Sequence, residues 1–273
     1  MSSRYKRDLI KAWNEVAPRY HEKWAGPRAG PFQSTSELED IVDIRPDSRL
    51  LDIGCGTGAA INLLSRGIGD SGVAIGVDTS ISAIRMAKSN GTADFVIADA
   101  ENLCLAGEFD VVTCQFALFF FPDAVRVLKS VRELMRDGGT LAVTVHGAGD
   151  STPYHRIILD EILRDIPDYL AAGAPQMDRF GTRESLDKVV TEAGFGGVLI
   201  RERTFRYSPG TADSYWDGYL KYVAESARKR LDALPVDNLE GIRRRVIEKA
   251  RRFERDGQIV FPWSVLILTA RKQ

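Results

Sequence analysis

Three glycines close a short apolar run in Leu50-Leu51-Asp52-Ile53-Gly54-Cys55-Gly56-Thr57-Gly58. Glycines let a backbone turn tightly and admit a ligand where a Cβ would stand in the way. The segment reads as a strand opening into a cradle for a nucleotide-type ligand, with Gly54, Cys55, Gly56 and Gly58 against it. The spacing Gly54-x-Gly56-x-x-Ala59 also satisfies the dinucleotide fingerprint in its Gly/Ala form. The next apolar run ends Gly76-Val77-Asp78-Thr79, about twenty residues on, where a carboxylate can accept both hydroxyls of a ribose. Nicotinamide dinucleotides and S-adenosylmethionine share that requirement.

Asp52 separates the two ligands. A carboxylate at the mouth of the turn would repel a diphosphate, whereas the amino group and sulfonium of S-adenosylmethionine are cationic and would be attracted. A third run ends Ala98-Asp99-Ala100. Ligands of open α/β sheets lie across the carboxyl ends of the strands, so Asp99 is placed for the adenine amino group and the Ala100 backbone for the ring edge. The purely structural role of Asp99 is an N-cap for a short helix.

These residues need a frame. Apolar, β-branched runs at 49–53, 73–77, 94–98, 109–114 and 140–146 alternate with helical patterns at 58–66, 80–89, 101–104 and 122–136. That alternation predicts an α/β, doubly wound, mainly parallel sheet with helices on both faces. Further helices are expected at 153–165, 182–193, 211–233 and 238–256, and strands at 197–206 and 259–270. Upstream, Leu9, Ile10, Trp13, Val16 and Tyr20 draw a stripe on a helix over 4–24 that Pro18 is expected to interrupt. A second helix is expected at 36–44, after a Gly/Pro-rich loop.

Composition narrows the partners. With 44% hydrophobic residues and 37 Lys+Arg against 38 Asp+Glu, the chain can bury a core but has no global field to gather nucleic acid or an anionic bilayer. The 273 residues, against roughly 150 per domain, suit one catalytic domain with an elaborated lid. Cys55, Cys104 and Cys114 suit a reducing compartment, and there is no secretory pattern or membrane span, so a cytoplasmic enzyme with a small-molecule partner and no bound metal is expected. The helix carrying Arg243, Arg244, Arg245, Lys249, Arg251, Arg252 and Arg255 reads first as a solvated face and second as a nucleic-acid surface.

Five segments in order now carry a resemblance: LLDIGCGTG at 50–58, GVD at 76–78, ADAENL at 98–103, FDVVTCQFALFFFPD at 109–123 and LMRDGGTLAVTV at 134–145. The chain resembles the class I S-adenosylmethionine-dependent methyltransferases, particularly the small-molecule branch of the ubiquinone and menaquinone enzymes. The resemblance implies a Rossmann-like sheet of seven strands in the order 3-2-1-4-5-7-6, the last antiparallel. It also implies S-adenosyl-L-methionine as methyl donor, S-adenosyl-L-homocysteine as product, and a fourth-strand loop, Gln115-Phe116, lining the donor pocket. Lid helices would occupy 1–44, the donor-binding core 45–146, and the rest of the core with lid insertions at about 147–180 and 205–258 the remainder to 273. Where family members often carry a bulky residue after the ribose acid, this chain has Ala83.

Methyl transfer from a sulfonium is an in-line displacement, so positioning and exclusion of water supply much of the acceleration. A base helps a hydroxyl or carbon acceptor; His146 is the first candidate, ahead of His155 and His21. Tyr20 is placed to close over the methionine end, and Arg28 to pair with its carboxylate. Phe180, Tyr207, Tyr215, Trp216, Tyr219 and Tyr222 suggest a pocket for an apolar or aromatic acceptor methylated at O, N or C. The rival readings are an NAD-dependent oxidoreductase, which lacks a Tyr-x-x-x-Lys pair here, and an RNA-directed or non-catalytic member of the fold.

Overall fold

The computed structural model describes residues 3–24, 30–170, 174 and 176–273. Among the described residues eight strands form one sheet: β1 (Arg49–Ile53), β2 (Val73–Asp78), β3 (Asp94–Ile97), β4 (Phe109–Gln115), β5 (Met135–His146), β6 (Phe195–Gly210), β7 (Glu254–Arg255) and β8 (Gln258–Lys272). Their order is β3-β2-β1-β4-β5-β8-β6, with β7 off the path against β8. The first five are parallel, and β8 runs antiparallel to both β5 and β6. Without the two-residue β7 this is the expected seven-strand order. β7 arises because Asp256 and Gly257 both take left-handed φ (50° and 75°), as a two-residue hairpin turn requires.

β1, β4 and β5 are buried along nearly their whole length. This is why they read as continuous apolar runs rather than alternating ones. Helices α1 (Ser3–Trp24), α2 (Ser34–Ile41), α3 (Ala59–Leu64), α4 (Ile81–Asn90) and α5 (Ala124–Glu133) precede α6 (Pro153–Asp165) and α7 (Arg183–Glu192). α8 (Ala212–Tyr222), α9 (Glu225–Asp232) and α10 (Val236–Ala250) follow β6. The stretch 101–104 makes one 3-10 turn, Ala100–Asn102, capped by Asp99.

Two expectations fail here for physical reasons. α1 runs through Pro18 without a break. An interior proline costs about 3 kcal/mol, but the helix is pinned from outside: Asn14 Oδ1 accepts from Ser80 Oγ at 2.8 Å and from the Ser82 amide at 3.1 Å. The single helix expected over 211–233 is two, because Val223 and Ala224 are extended (ψ 149° and 148°).

Three cations of the arginine-rich helix α10 are paired with acids of neighbouring helices. Buried Glu161 on α6 takes Arg245 Nε at 2.6 Å and Lys249 Nζ at 2.5 Å, Asp165 takes Arg245 Nη2 at 2.6 Å, and Arg243 pairs with Asp213. Desolvation pushes the Glu161 carboxyl up, but the bonds from Lys249 and Arg245 outweigh it and hold it below its usual range. Arg245 and Lys249 thus fasten α10 to α6, and Arg243 fastens it to α8. No helix among the described residues is long and apolar enough to cross a membrane.

Candidate functional site

A cavity opens between α1 and the carboxyl ends of β1, β2 and β4. Its floor is the glycine turn, fixed by the Gly54 and Cys55 amides, which both donate to the Val77 carbonyl at 2.8 and 3.0 Å. Gly54, Gly56 and Gly58 all take left-handed φ (67°, 54° and 83°), where a Cβ is strained. They are not equivalent. A Cβ on Gly54 would stand 2.5 Å from that of Ala117, and one on Gly58 3.1 Å from that of Ala87, so both are held by packing, and Gly54 also lines the cavity. A Cβ on Gly56 would meet nothing within 4 Å, because that face looks into the cavity.

Asp78 borders the same cavity. Its Oδ2 accepts from the Gly56 amide at 2.9 Å and its Oδ1 from the Ser80 amide at 2.8 Å, so the carboxylate ties the end of β2 to the turn. Burial raises its pKa against the pull of those amides. Thr79 and Ala83 continue the wall, and Ala98, Asp99 and Ala100 close the far end. Asp99 also caps the Glu101 amide at 3.0 Å, and Lys6 Nζ from α1 sits 2.8 Å from its Oδ2. The structural role foreseen for Asp99 is thus filled while it still lines the cavity.

Asp52 corrects the sequence reading. It lies under the turn, 1% exposed and away from the cavity wall, with Thr113 donating its hydroxyl to Oδ1 at 2.6 Å. Burial pushes its pKa up to about 7. Asp52 is the penultimate residue of β1 and pairs in register with Gly76 of β2 and Thr113 of β4. Asp78 is the acid at this corner that borders the cavity itself, and its charge also raises Asp52. Cys55 is likewise buried beneath the turn, its thiol pushed well up by burial, and does not face the cavity.

At the end of β4, Gln115 and Phe116 line the cavity as expected. Thr35 donates its hydroxyl to Gln115 Oε1 at 3.0 Å, which orients the amide and leaves Nε2 buried without a partner among the described residues. Phe116 sits at φ 49°, a conformation that costs a non-glycine residue of order 1–3 kcal/mol and marks functional sites. Its ring stacks on His146 at 4.7 Å. The aromatic walls are Trp13 and Tyr20 of α1 with Phe116, Phe120 and Phe121. Burial, then the charge of Asp78, raises the Tyr20 phenol, so it stays protonated and cannot serve as a base.

His146 is a second correction. Trp263 donates its indole N–H to His146 Nδ1 at 3.0 Å, so the neutral ring keeps its proton on Nε2 and has no lone pair for a base. Burial, then His155, holds its pKa well below the ordinary value. His155 is pushed down to about 4 by burial and then by Lys23. His21 lies 2.9 Å from Thr57 Oγ1 and links α1 to the glycine turn. None of the three lines the cavity.

The aromatics expected to line an acceptor pocket are mostly spent elsewhere. Tyr215 and Trp216 are core residues of α8, Tyr219 bonds Tyr169 through their hydroxyls at 2.9 Å, and Phe180 packs under the Arg179 guanidinium. Arg28 lies outside the described residues. Sequence reasoning missed Lys6, Asn14 and Thr35. Lys6 shares a helical face with Leu9, Ile10 and Trp13 and was open to discovery; Thr35 carries no local signal.

A family model described as a methyltransferase domain matches residues 51–143. Trans-aconitate 2-methyltransferase of Deinococcus radiodurans is 27% identical over 68% of this chain and 67% of its own length. Demethylmenaquinone methyltransferase of Staphylococcus saprophyticus is 28% identical over 60% of this chain and 76% of its own. Among solved structures, phosphoethanolamine N-methyltransferase 2 of Haemonchus contortus, holding S-adenosylhomocysteine, superposes with a TM-score of 0.59. It is 14% identical and covers 95% of this chain and 57% of that one, a likeness of fold. The methyltransferase domain matched over residues 51–143, carried on this strand order, is what the chain shares with the class I methyltransferases.

Proposed function

We propose that the cavity under α1 binds S-adenosylmethionine and that its methyl passes in line to a small apolar or aromatic acceptor. The observation that carries this is Gly56: a glycine in a strained φ whose missing Cβ leaves open space beside the Asp78 carboxylate. The remaining residues fit the donor. Asp78 offers its carboxylate to the ribose, Ala83, Ala98 and Ala100 leave a flat apolar slot for adenine, and Asp99 stands at its edge. Gln115 Nε2, buried and unpartnered, has a hydrogen bond to give to the donor's carboxylate. Tyr20 covers the turn from the α1 side. When bound, the donor supplies an electrophilic methyl on a cationic sulfur that leaves neutral.

The chain's own contribution is placement and exclusion of water. α1 is fastened over the site at Lys6–Asp99, Asn14–Ser80 and His21–Thr57, which covers the cavity from that side. In this reading residues 1–44 with about 147–180 and 205–258 form the lid over a core of 45–146. The relatives' names give different acceptors, an aconitate and a demethylmenaquinone, so acceptor identity does not carry over. Calorimetric titration with S-adenosylhomocysteine tests the reading: saturable binding, weakened at least tenfold in Asp78→Asn, is expected, while tighter binding of NADH would overturn it.

A further inference from the structure

The donor carries a carboxylate, and among the described residues that line the cavity the one cation is already engaged. Lys6 Nζ lies 2.8 Å from Asp99 Oδ2 and pairs with Glu101 as well, at the far end of the cavity. Asp78 and Asp99, the acids of the lining, would repel a carboxylate. A neutral hydrogen-bond donor must receive it.

Gln115 ends β4 and lines the cavity, and what it can do depends on which way its amide faces. An amide presents an acceptor on one side and two donors on the other. Thr35 decides between them. Its hydroxyl is 4% exposed and donates to Gln115 Oε1 at 3.0 Å, its one side-chain partner among the described residues. With the amide reversed, that proton would be buried without an acceptor, which is costly. The donor side of the amide therefore stays open. Thr144, in register with Gln115 on β5, does not take it: its own buried hydroxyl and Gln115 Nε2 are both without a partner among the described residues. Two unpartnered polar atoms on adjacent strands, one of them on a cavity residue, mark a place for a ligand's polar group.

Thr35 is fixed by the packing of α2. Phe32, just before the helix, meets Phe116 at 4.8 Å, Leu38 is fully buried, and Glu37 pairs with Arg203 of β6 at 2.8 Å. This helix lies outside the matched domain of 51–143, yet it supplies the contact that gives the site its polarity.

We propose that Thr35 is a positioning residue that makes Gln115 the reader of the donor's amino-acid carboxylate, so that the site selects a donor bearing that group over its decarboxylated counterpart. The proposal rests on the donor reading of the cavity. A decarboxylated donor ends in an ammonium, which cannot accept from Nε2.

Calorimetry on the protein tests this with S-adenosylhomocysteine, its decarboxylated form S-adenosyl-3-thiopropylamine, and 5′-methylthioadenosine, which has neither charged group. Methylthioadenosine binding reports on the donor reading alone, so the two readings fail separately. S-adenosylhomocysteine should bind about tenfold tighter than the decarboxylated form. Thr35→Val should shrink that contrast about threefold and Thr35→Ser keep most of it, with methylthioadenosine affinity unchanged in both. Gln115→Glu sets a carboxylate against the donor's own and should reverse the preference, which decides the matter should Thr35→Val not fold. Equal binding of the two charged ligands by the unaltered protein, or an undiminished contrast in Thr35→Val or Gln115→Glu, would overturn the proposal.

Discussion

The indole N–H of Trp263 points at Nδ1 of His146 across 3.0 Å, and this one bond fixes the tautomer of a histidine that stands at the carboxyl end of β5. The ring is also stacked on Phe116, the strained residue of the cavity wall. His146 therefore acts as a support for that wall.

The pH dependence of kcat/KM should show no step from His146. A step near pH 6.5 that disappears in His146→Asn would contradict the assignment. Trp263→Phe removes the donor from a buried acceptor and should lower stability by about 1–3 kcal/mol in urea unfolding.

Gly54 and Gly56 should separate fold from binding. Gly56→Ala adds a methyl where nothing lies within 4 Å, so the fold should survive with a loss of about 1 kcal/mol from the left-handed φ. S-adenosylhomocysteine affinity should fall at least tenfold. Gly54→Ala drives a methyl into Ala117 and should cost more stability. Thermal melts beside calorimetric titrations distinguish the two, and equal behaviour would count against the cradle.

Asp52 makes a signed prediction about stability. Its carboxyl titrates near 7 in the fold against 3.8 when free. The folded state thus holds the proton more tightly between those values, and stability from this group is full at low pH. It declines as pH rises from about 4 through about 7, by about 1.4 kcal/mol per pH unit at most. Asp52→Asn should flatten that part of the pH–stability curve; an unchanged slope would remove Asp52 as its source.

Breaking the α6–α10 fastening should be costly. Glu161 is 3% exposed between Arg245 and Lys249, and Glu161→Ala leaves both cations without it. A loss of about 3–5 kcal/mol is expected from chemical denaturation. A loss below 1 kcal/mol would show that the cluster is solvated.

Much of this was legible before the structure. Short β-branched runs gave the strands because β1, β4 and β5 are buried on both faces, and Gly56, Asp78 and Gln115 were foreseen at the cavity because they end or closely follow strands where ligands of such sheets lie. Asp52 was misplaced because a strand pattern does not tell which of two buried faces a carboxylate near a strand's end takes. Pro18 misled because the bonds from Ser80 and Ser82 to Asn14 join segments far apart in sequence. His146 and Thr35 depend on partners 117 and 80 residues away, beyond the reach of any local pattern.

The most direct measurement is a crystal structure with S-adenosylhomocysteine. The ribose hydroxyls should lie within hydrogen-bond distance of Asp78, with the nucleoside against Gly56 and the amino-acid end at Gln115 Nε2. A nicotinamide dinucleotide occupying the cavity instead, its phosphates on the glycine turn, would contradict the account.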